Sequence, residues 1–165
     1  SKIKKINSIN FVKSHLKSLD PKKRDNILNE IKKLLKPKKI KKAENYKNLN
    51  WSDVKKLHNP PHYEVGGHTV NHEILSYLKR KDMEFEISHC LKQLRKNVNS
   101  NIDLFSYPEG QKNHYNKKVI KYLKKNKITM CPSAIYGLVT KKDNNFNLKR
   151  QMVGFNKLPF PVEKI

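Results

Sequence analysis

The sequence has few acidic residues, few cysteines and no long hydrophobic run. Its 165 residues include 14 Asp and Glu against 37 Lys and Arg, which gives a formal net charge of +23. No apolar run approaches the roughly 18 residues of a membrane-spanning helix, so the sequence predicts no such helix. The two cysteines, Cys90 and Cys131, allow at most one disulfide. This number excludes a small scaffold that is held together by several disulfides.

Arginine is also scarce, because only 4 of the 37 basic residues are Arg and the rest are Lys. Recognition of bases and phosphates through two parallel hydrogen bonds favours the Arg side chain over that of Lys. About half of the excess positive charge lies in residues 1–50. We therefore interpret the charge as a solvated basic surface, and binding to nucleic acid is disfavoured.

Glycine is absent from residues 1–50, and all five glycines follow Trp51. In the first segment, Asp20 followed by Pro21 is typical of a helix start, and apolar residues then recur at helical spacing up to Pro37. We therefore predict a basic helical appendage over residues 1–50 and a body over residues 51–165.

The body alternates helix and strand signals. A short helix capped by Ser52 is predicted to end at Leu57, a longer helix begins near Asp82, and a third covers residues 116–126. The predicted strands lie at 63–65, 103–107, 128–131 and 148–155. This alternation is typical of a largely parallel sheet covered by helices, so we predict an α/β fold whose functional residues gather where strands end.

The first candidate site follows the predicted strand 63–65, in the segment G-G-H-T-V-N-H-E-I-L-S at residues 66–76. His68 and His72 are four residues apart, and on a helix this spacing places both imidazoles on one face, where they could bind one metal ion. Zinc proteases with the same spacing need Glu directly after the first His, and Thr69 stands there. An exposed histidine pair that binds no ligand is the alternative that the residues leave open.

The second candidate site is the segment F-S-Y-P-E-G at residues 105–110, where a predicted strand runs into a turn that contains proline and glycine. Such a turn directs backbone N–H groups outward at the end of a sheet, and these groups could stabilise an oxyanion. The alternative is an ordinary turn that ends a strand.

Taken together, these two segments resemble the polysaccharide deacetylase family, also called the NodB-homology domain. The strongest match is E-V-G-G-H-T-V-N-H-E-I-L-S, and weaker ones are F-S-Y-P-E-G, W-S-D-V-K-K-L, Y-G-L-V-T and N-L-K-R-Q-M-V-G-F. The resemblance covers residues 49–155 and implies that His68 and His72 bind a divalent metal, most simply zinc. It also implies that Tyr107 lines the substrate groove and offers its backbone N–H to the oxyanion.

Two motifs of that family have no counterpart in this chain. The T-F-D-D strand, which supplies the catalytic base and a carboxylate metal ligand, is absent, because no two of the six aspartates are adjacent. The late L-x-H motif is absent too, since no histidine follows His114. We therefore expect a C-terminal portion of a longer deacetylase, weak metal binding and little turnover, unless a carboxylate such as Glu109 or Asp53 replaces the missing pair.

The resemblance implies a partial, deformed (β/α) barrel that follows the helical appendage. The implied function is metal-dependent removal of acetyl groups from a glycan that contains N-acetylhexosamine. The expected location is the cell envelope or the cytoplasmic face of glycan assembly. The competing hypotheses are a non-catalytic basic protein that binds an anionic polymer, either nucleic acid or glycan, and a remnant without a ligand.

Overall fold

The computed structural model describes residues 2–37 and 48–151, and the chain divides into two units, Ser1–Leu49 and Asn50–Ile165. Each unit is described by itself below. Five α-helices, one 3₁₀-helix and two strands lie in the described residues, in the order α1 (Lys2–Ser18), α2 (Pro21–Leu35), α3 (Trp51–Leu57), a 3₁₀-helix (Leu75–Tyr77), α4 (Arg80–Val98), α5 (Lys117–Lys125), β1 (Pro132–Tyr136) and β2 (Leu148–Arg150).

The first unit contains α1 and α2. Helix α2 begins at Pro21, as predicted, because the Asp20 side chain accepts a hydrogen bond of 3.0 Å from the Lys22 N–H. The helix ends at Leu35, and its C-cap, Lys36, adopts a left-handed conformation with φ of 40°. No side chain of α2 is fully buried, and Leu34 at its end is 82% exposed. Ile27, Leu28 and Ile31 are half-buried, so both the cap and partial burial of one face stabilise this helix.

The second unit has one hydrophobic core, to which α4 and α5 each contribute an apolar face. Helix α5 was predicted at 116–126, and its cap, Asn116, accepts hydrogen bonds from the N–H groups of Lys118 and Val119. Within residues 48–151 the core contains 13 buried residues: Leu75, Met83, Ile87, Leu91, Val98, Ile102, Phe105, Tyr107, Val119, Leu123, Ile128, Cys131 and Phe146. Most of this core lies between the two helices and the strand ends.

Helix α3 begins two residues earlier than predicted, because its cap is Asn50 and not Ser52. The Asn50 side chain accepts a 3.0 Å hydrogen bond from the Asp53 N–H, and the Asp53 carboxylate accepts one of the same length from the Asn50 N–H. This reciprocal pair is a capping box, which satisfies two backbone donors at once. A Ser52 cap would satisfy only one backbone donor, which explains why Asn50 caps the helix instead.

The sheet is parallel and sparse. Strands β1 and β2 pair in parallel, and single parallel bridges join Gly67 to Phe105 and Leu104 to Met130. The predicted strands at 103–107 and 128–131 are thus reduced to isolated bridges. The predicted strand at 63–65 is wrong, because its only bridge to another described residue is the antiparallel contact of Tyr63 with Asn59, four residues earlier.

These contacts give a mixed α/β fold in which the strands do not close into a barrel within residues 48–151. The predicted strand at 148–155 is present as β2 up to Arg150, and residues 152–155 lie outside the described residues. None of the helices in the described parts of the chain is long and apolar enough to cross a membrane.

Candidate active site

The two candidate segments are neighbours in the structure. Gly67 pairs with Phe105, and its carbonyl accepts a 2.8 Å hydrogen bond from the Ser106 N–H. His68 directly follows Gly67, and Tyr107 lies two residues after Phe105. The parallel pairing of the two strand ends therefore brings both motifs to the same edge of the sheet.

The segment that carries the histidines is a loop and not the helix on which the four-residue spacing would place both rings on one face. Thr69 and His72 have φ values of 65° and 58°, which lie in the left-handed region and exclude an α-helix. We call residues 68–72 the histidine loop. Although the loop is not helical, the ring centroids of His68 and His72 are 4.8 Å apart, with an interplanar angle of 73°. The loop therefore brings the two imidazole rings close together without a helix.

One contact fixes the His68 ring. Its Nδ1 atom lies 2.8 Å from the backbone carbonyl oxygen of Ser106. Because a carbonyl oxygen can only accept, the hydrogen of the imidazole resides on Nδ1, and in the neutral ring the lone pair is on Nε2. A histidine that binds a metal commonly donates its other N–H to a carbonyl or a carboxylate in this way. Both histidines are exposed, so their rings are accessible from solvent.

The histidine loop is supported by Glu86, a residue of α4 that was not predicted as part of the site. Its carboxylate Oε2 accepts hydrogen bonds from the backbone N–H groups of Val70 at 2.8 Å and Asn71 at 2.9 Å. The other oxygen, Oε1, accepts a 2.6 Å bond from the Asn71 side chain. Glu86 is only 4% exposed and lies beside Ile87 on the core face of α4. An acidic residue within the apolar face of a predicted helix was the signal that could have identified it.

Cys90 supports the same loop one helical turn later. Burial raises the pKa of its thiol, and backbone hydrogen bonds from His68 and Thr69 lower it by less. The raised pKa keeps the thiol protonated and poorly nucleophilic near neutral pH. Cys90 therefore has a packing role.

The donor atoms fit two positions of a metal site. Catalytic zinc usually has three protein ligands and a water molecule. Within residues 2–37 and 48–151, no group of three His, Cys, Asp or Glu side chains is arranged to hold a metal ion. Asp53, considered above as a replacement ligand, uses its carboxylate to cap α3. The histidine pair thus fits a divalent metal as a partial site.

The turn after the second strand end is present as predicted. Its Glu109 and Gly110 have positive φ values of 59° and 63°. A Cβ atom at Gly110 would lie 2.7 Å from the Ala134 nitrogen, so this position accepts only glycine without a shift of the backbone. The turn packs closely against β1, which holds the end of the Phe105 strand in place.

The side chain of Tyr107 faces the core, which corrects the expectation that it lines a groove. It is 1% exposed, its ring stacks on that of Tyr115 with centroids 4.0 Å apart, and its hydroxyl donates to the Phe146 carbonyl at 3.0 Å. Burial raises the pKa of the Tyr107 hydroxyl far above its ordinary value. The backbone N–H of Tyr107 as an oxyanion donor stays a prediction.

A buried thiol lies next to Tyr107. Burial raises the pKa of Cys131 to about 12, although hydrogen bonds from the side chain and the backbone of Tyr107 lower it. Cys131 is fully buried and belongs to the same core cluster. The contacts of Tyr107 that the structure shows therefore anchor the strand end to the core.

Comparison with known proteins identifies the family. The family model described as polysaccharide deacetylase matches residues 22–131, which is most of the chain. The chain belongs to this family, as its two motifs predicted. The matched range begins in α2, so the family relationship extends into the segment that we predicted as an appendage, and the domain boundary near residue 50 stays a proposal.

Two solved structures have a similar fold. The deacetylase PplD of Streptococcus pyogenes, in complex with acetate, is 20% identical, with a TM-score of 0.55, over 65% of this chain and 46% of that protein. A polysaccharide deacetylase from Bacillus cereus is also 20% identical, with a TM-score of 0.53, over 78% of this chain and 43% of that protein. The chain thus spans less than half the length of either structure. No curated protein matches the sequence.

Proposed function

We propose that this chain carries the histidine half of a metal-dependent deacetylase site that removes acetyl groups from a glycan containing N-acetylhexosamine. The observation that carries the proposal is the pair of exposed imidazoles with centroids 4.8 Å apart, one of them oriented by the Ser106 carbonyl. Membership of the polysaccharide deacetylase family supports the reaction class. The proposed location is the cell envelope or the cytoplasmic face of glycan assembly.

Hydrolysis of an acetamide needs a water nucleophile, a group that polarises the carbonyl, and a base that accepts the proton of the water. A divalent metal, zinc in this proposal, would polarise the carbonyl and the water when bound. His68 and His72 would hold it, and the Ser106 carbonyl keeps the hydrogen of His68 on Nδ1, so that Nε2 stays free to coordinate. The Tyr107 N–H is the proposed oxyanion donor.

The base and the third ligand are the parts that this sequence does not supply in the family's usual form. No two aspartates are adjacent, and Asp53 is occupied in the capping box of α3. We therefore propose that these 165 residues by themselves bind the metal weakly and turn over little substrate. Glu109, which lies in the turn after Tyr107, is the carboxylate to test as a replacement base.

Metal binding and deacetylation measured on the same samples test the proposal. We expect weak zinc binding to the chain, loss of that binding in the double variant His68→Ala/His72→Ala, and acetate release from chito-oligosaccharide near the background rate. His62→Ala is the matched control, because His62 is exposed and lies outside the histidine loop. Zinc binding that survives the double variant contradicts the proposed site.

The rate of acetate release then decides the catalytic state. Robust release by the unchanged chain would contradict the proposed low turnover. In that case Glu109→Gln shows whether Glu109 acts as the base, because Gln has nearly the same size and cannot accept the proton of the water. Glu64→Gln is its control, because Glu64 is also an acidic residue outside helices and strands, and it lies outside the candidate segments 66–76 and 105–110.

A further inference from the structure

Successive backbone N–H groups of the histidine loop are directed at one face of α4. Those of Val70 and Asn71 both donate to the Oε2 atom of Glu86, at 2.8 and 2.9 Å. The N–H groups of His68 and Thr69 lower the pKa of the Cys90 thiol, one helical turn after Glu86, although burial raises it by more. Residues four apart lie on the same face of a helix, so the loop lies over one face of α4, and Glu86 is the residue that binds it.

The conformation of the loop needs such support. Thr69 and His72 both have φ near 60°, which is unfavourable for residues other than glycine and most of all for a β-branched residue such as Thr69. Backbone in this region persists only where the surrounding structure compensates for the strain. The two strained residues flank Val70 and Asn71, whose N–H groups Glu86 binds. The carboxylate thus acts at the centre of the strained segment.

We propose that Glu86 is a positioning residue of the metal site, which holds the histidine loop in the conformation that brings the rings of His68 and His72 together. The inference rests on the proposed function for the identity of the ligand that the rings bind. The placement of the rings by Glu86 rests only on the contacts described above. It assigns a role to a residue that touches neither metal nor substrate.

Two substitutions of Glu86 separate hydrogen bonding from packing. In Glu86→Gln the amide oxygen can still accept from both backbone N–H groups, and a flip of the Asn71 amide lets its oxygen accept from the new NH₂ group. In Glu86→Ala all three donors lose their acceptor. Val98→Ala is the control for a general loss of stability, because Val98 is 4% exposed and lies at the far end of the same helix.

The first measurement is titration of the full chain with Co²⁺, followed by its visible absorption. We expect Glu86→Ala to weaken Co²⁺ binding by roughly tenfold, the scale at which partners behind metal ligands act. Glu86→Gln should restore most of the affinity, and Val98→Ala should keep the affinity of the unchanged chain although it unfolds at a lower temperature. Equal affinity in Glu86→Ala and the unchanged chain, or an equal loss in Val98→Ala, would overturn the proposal.

The second measurement follows the conformation of the histidine loop in the absence of metal. The nuclear Overhauser effect between the rings of His68 and His72 reports their proximity, and hydrogen exchange at Val70 and Asn71 reports the protection of their N–H groups. We expect Glu86→Ala to lose the ring contact and the protection, and Val98→Ala to keep both. If His68→Ala/His72→Ala binds Co²⁺ like the unchanged chain, the proposed metal site fails, and this measurement alone decides the role of Glu86. An unchanged ring contact in Glu86→Ala overturns that role.

A milder variant keeps the test decisive if Glu86→Ala does not fold. Asn71 is exposed, so Asn71→Ala removes the 2.6 Å side-chain bond to Glu86 without opening the core. We expect a smaller loss of Co²⁺ affinity and a weaker ring contact. If the affinity and the ring contact of Asn71→Ala equal those of the unchanged chain, the proposal is overturned, because this bond is the shortest of the three.

Discussion

Substitution of Gly67 by alanine would test how tightly the strand end before His68 is packed. A Cβ atom at Gly67 would lie 2.6 and 2.9 Å from two ring carbons of Phe105 and 3.2 Å from a methyl carbon of Leu91. Carbon atoms in favourable contact are about 3.5–4.0 Å apart, so the ring would have to move by roughly 1 Å. Phe105 is 1% exposed, and close-packed neighbours leave little room for that movement.

The expected cost follows from these distances. Extra carbon in a well-packed core typically costs about 1–3 kcal/mol. The loss of backbone freedom in the unfolded chain offsets about 0.4–1 kcal/mol of this, because alanine restricts the unfolded state more than glycine does. We therefore expect Gly67→Ala to lower the free energy of unfolding by roughly 1–2 kcal/mol. Urea unfolding followed by circular dichroism measures this change.

Gly66 offers a matched control at the adjacent position. A Cβ atom there would meet atoms of Leu104 at 3.1 to 3.2 Å, which a small adjustment relieves. Gly66→Ala should therefore cost less than Gly67→Ala, and adding Phe105→Leu to Gly67→Ala should recover part of the loss. The reasoning is refuted if Gly67→Ala is as stable as the unchanged chain, or if Gly66→Ala is the more destabilising of the two.

Three further predictions concern the scaffold. Asn116→Ala should lower the free energy of unfolding by about 1 kcal/mol, because two N–H groups in the first turn of α5 lose their acceptor. Asn116→Asp should keep the stability of the unchanged chain, because its carboxylate still accepts from both groups. Tyr107→Phe should cost about 1–3 kcal/mol, because the buried Phe146 carbonyl loses its donor, and urea unfolding that matches the unchanged chain would contradict this. Between pH 9 and 12 the Cys131 thiol loses its proton in the unfolded chain and keeps it in the folded one. The free energy of unfolding should therefore fall as the pH rises, on the order of 1.4 kcal/mol per pH unit. Cys131→Ala should lack this component of the pH dependence.

Features that depend on neighbouring residues could be predicted from the sequence. The start of α2 at Pro21 and the limits of α5 follow from a cap and an apolar periodicity that lie within the helix itself. The capping error at α3 has a local cause as well, since Asn50 and Ser52 are both good caps, and only the pairing of Asn50 with Asp53 distinguishes them. The family could be inferred because its histidine motif is a short continuous segment.

Features that depend on distant residues could not be predicted. The spacing of His68 and His72 would place both rings on one face if the segment were a helix, but the segment is a loop whose N–H groups at Val70 and Asn71 bind the Glu86 carboxylate of α4. The depth of Tyr107 in the core likewise depends on Phe146, which is 39 residues away. Strand lengths were overestimated for the same reason, since pairing requires partners far along the chain, and no periodicity reports them.

The parallel pairs also set an order in which the second unit can assemble. They join residues that are 38, 26 and 16 positions apart, namely Gly67 with Phe105, Leu104 with Met130, and Pro132 with Leu148. Loop-closure entropy grows with the logarithm of loop length, so the longest connection costs about 0.8 kcal/mol more to close than the shortest. The ribosome synthesises the histidines first, but Gly67, which precedes them, cannot pair until Phe105 has been synthesised. The ring geometry therefore matures only after nearly forty further residues have been synthesised.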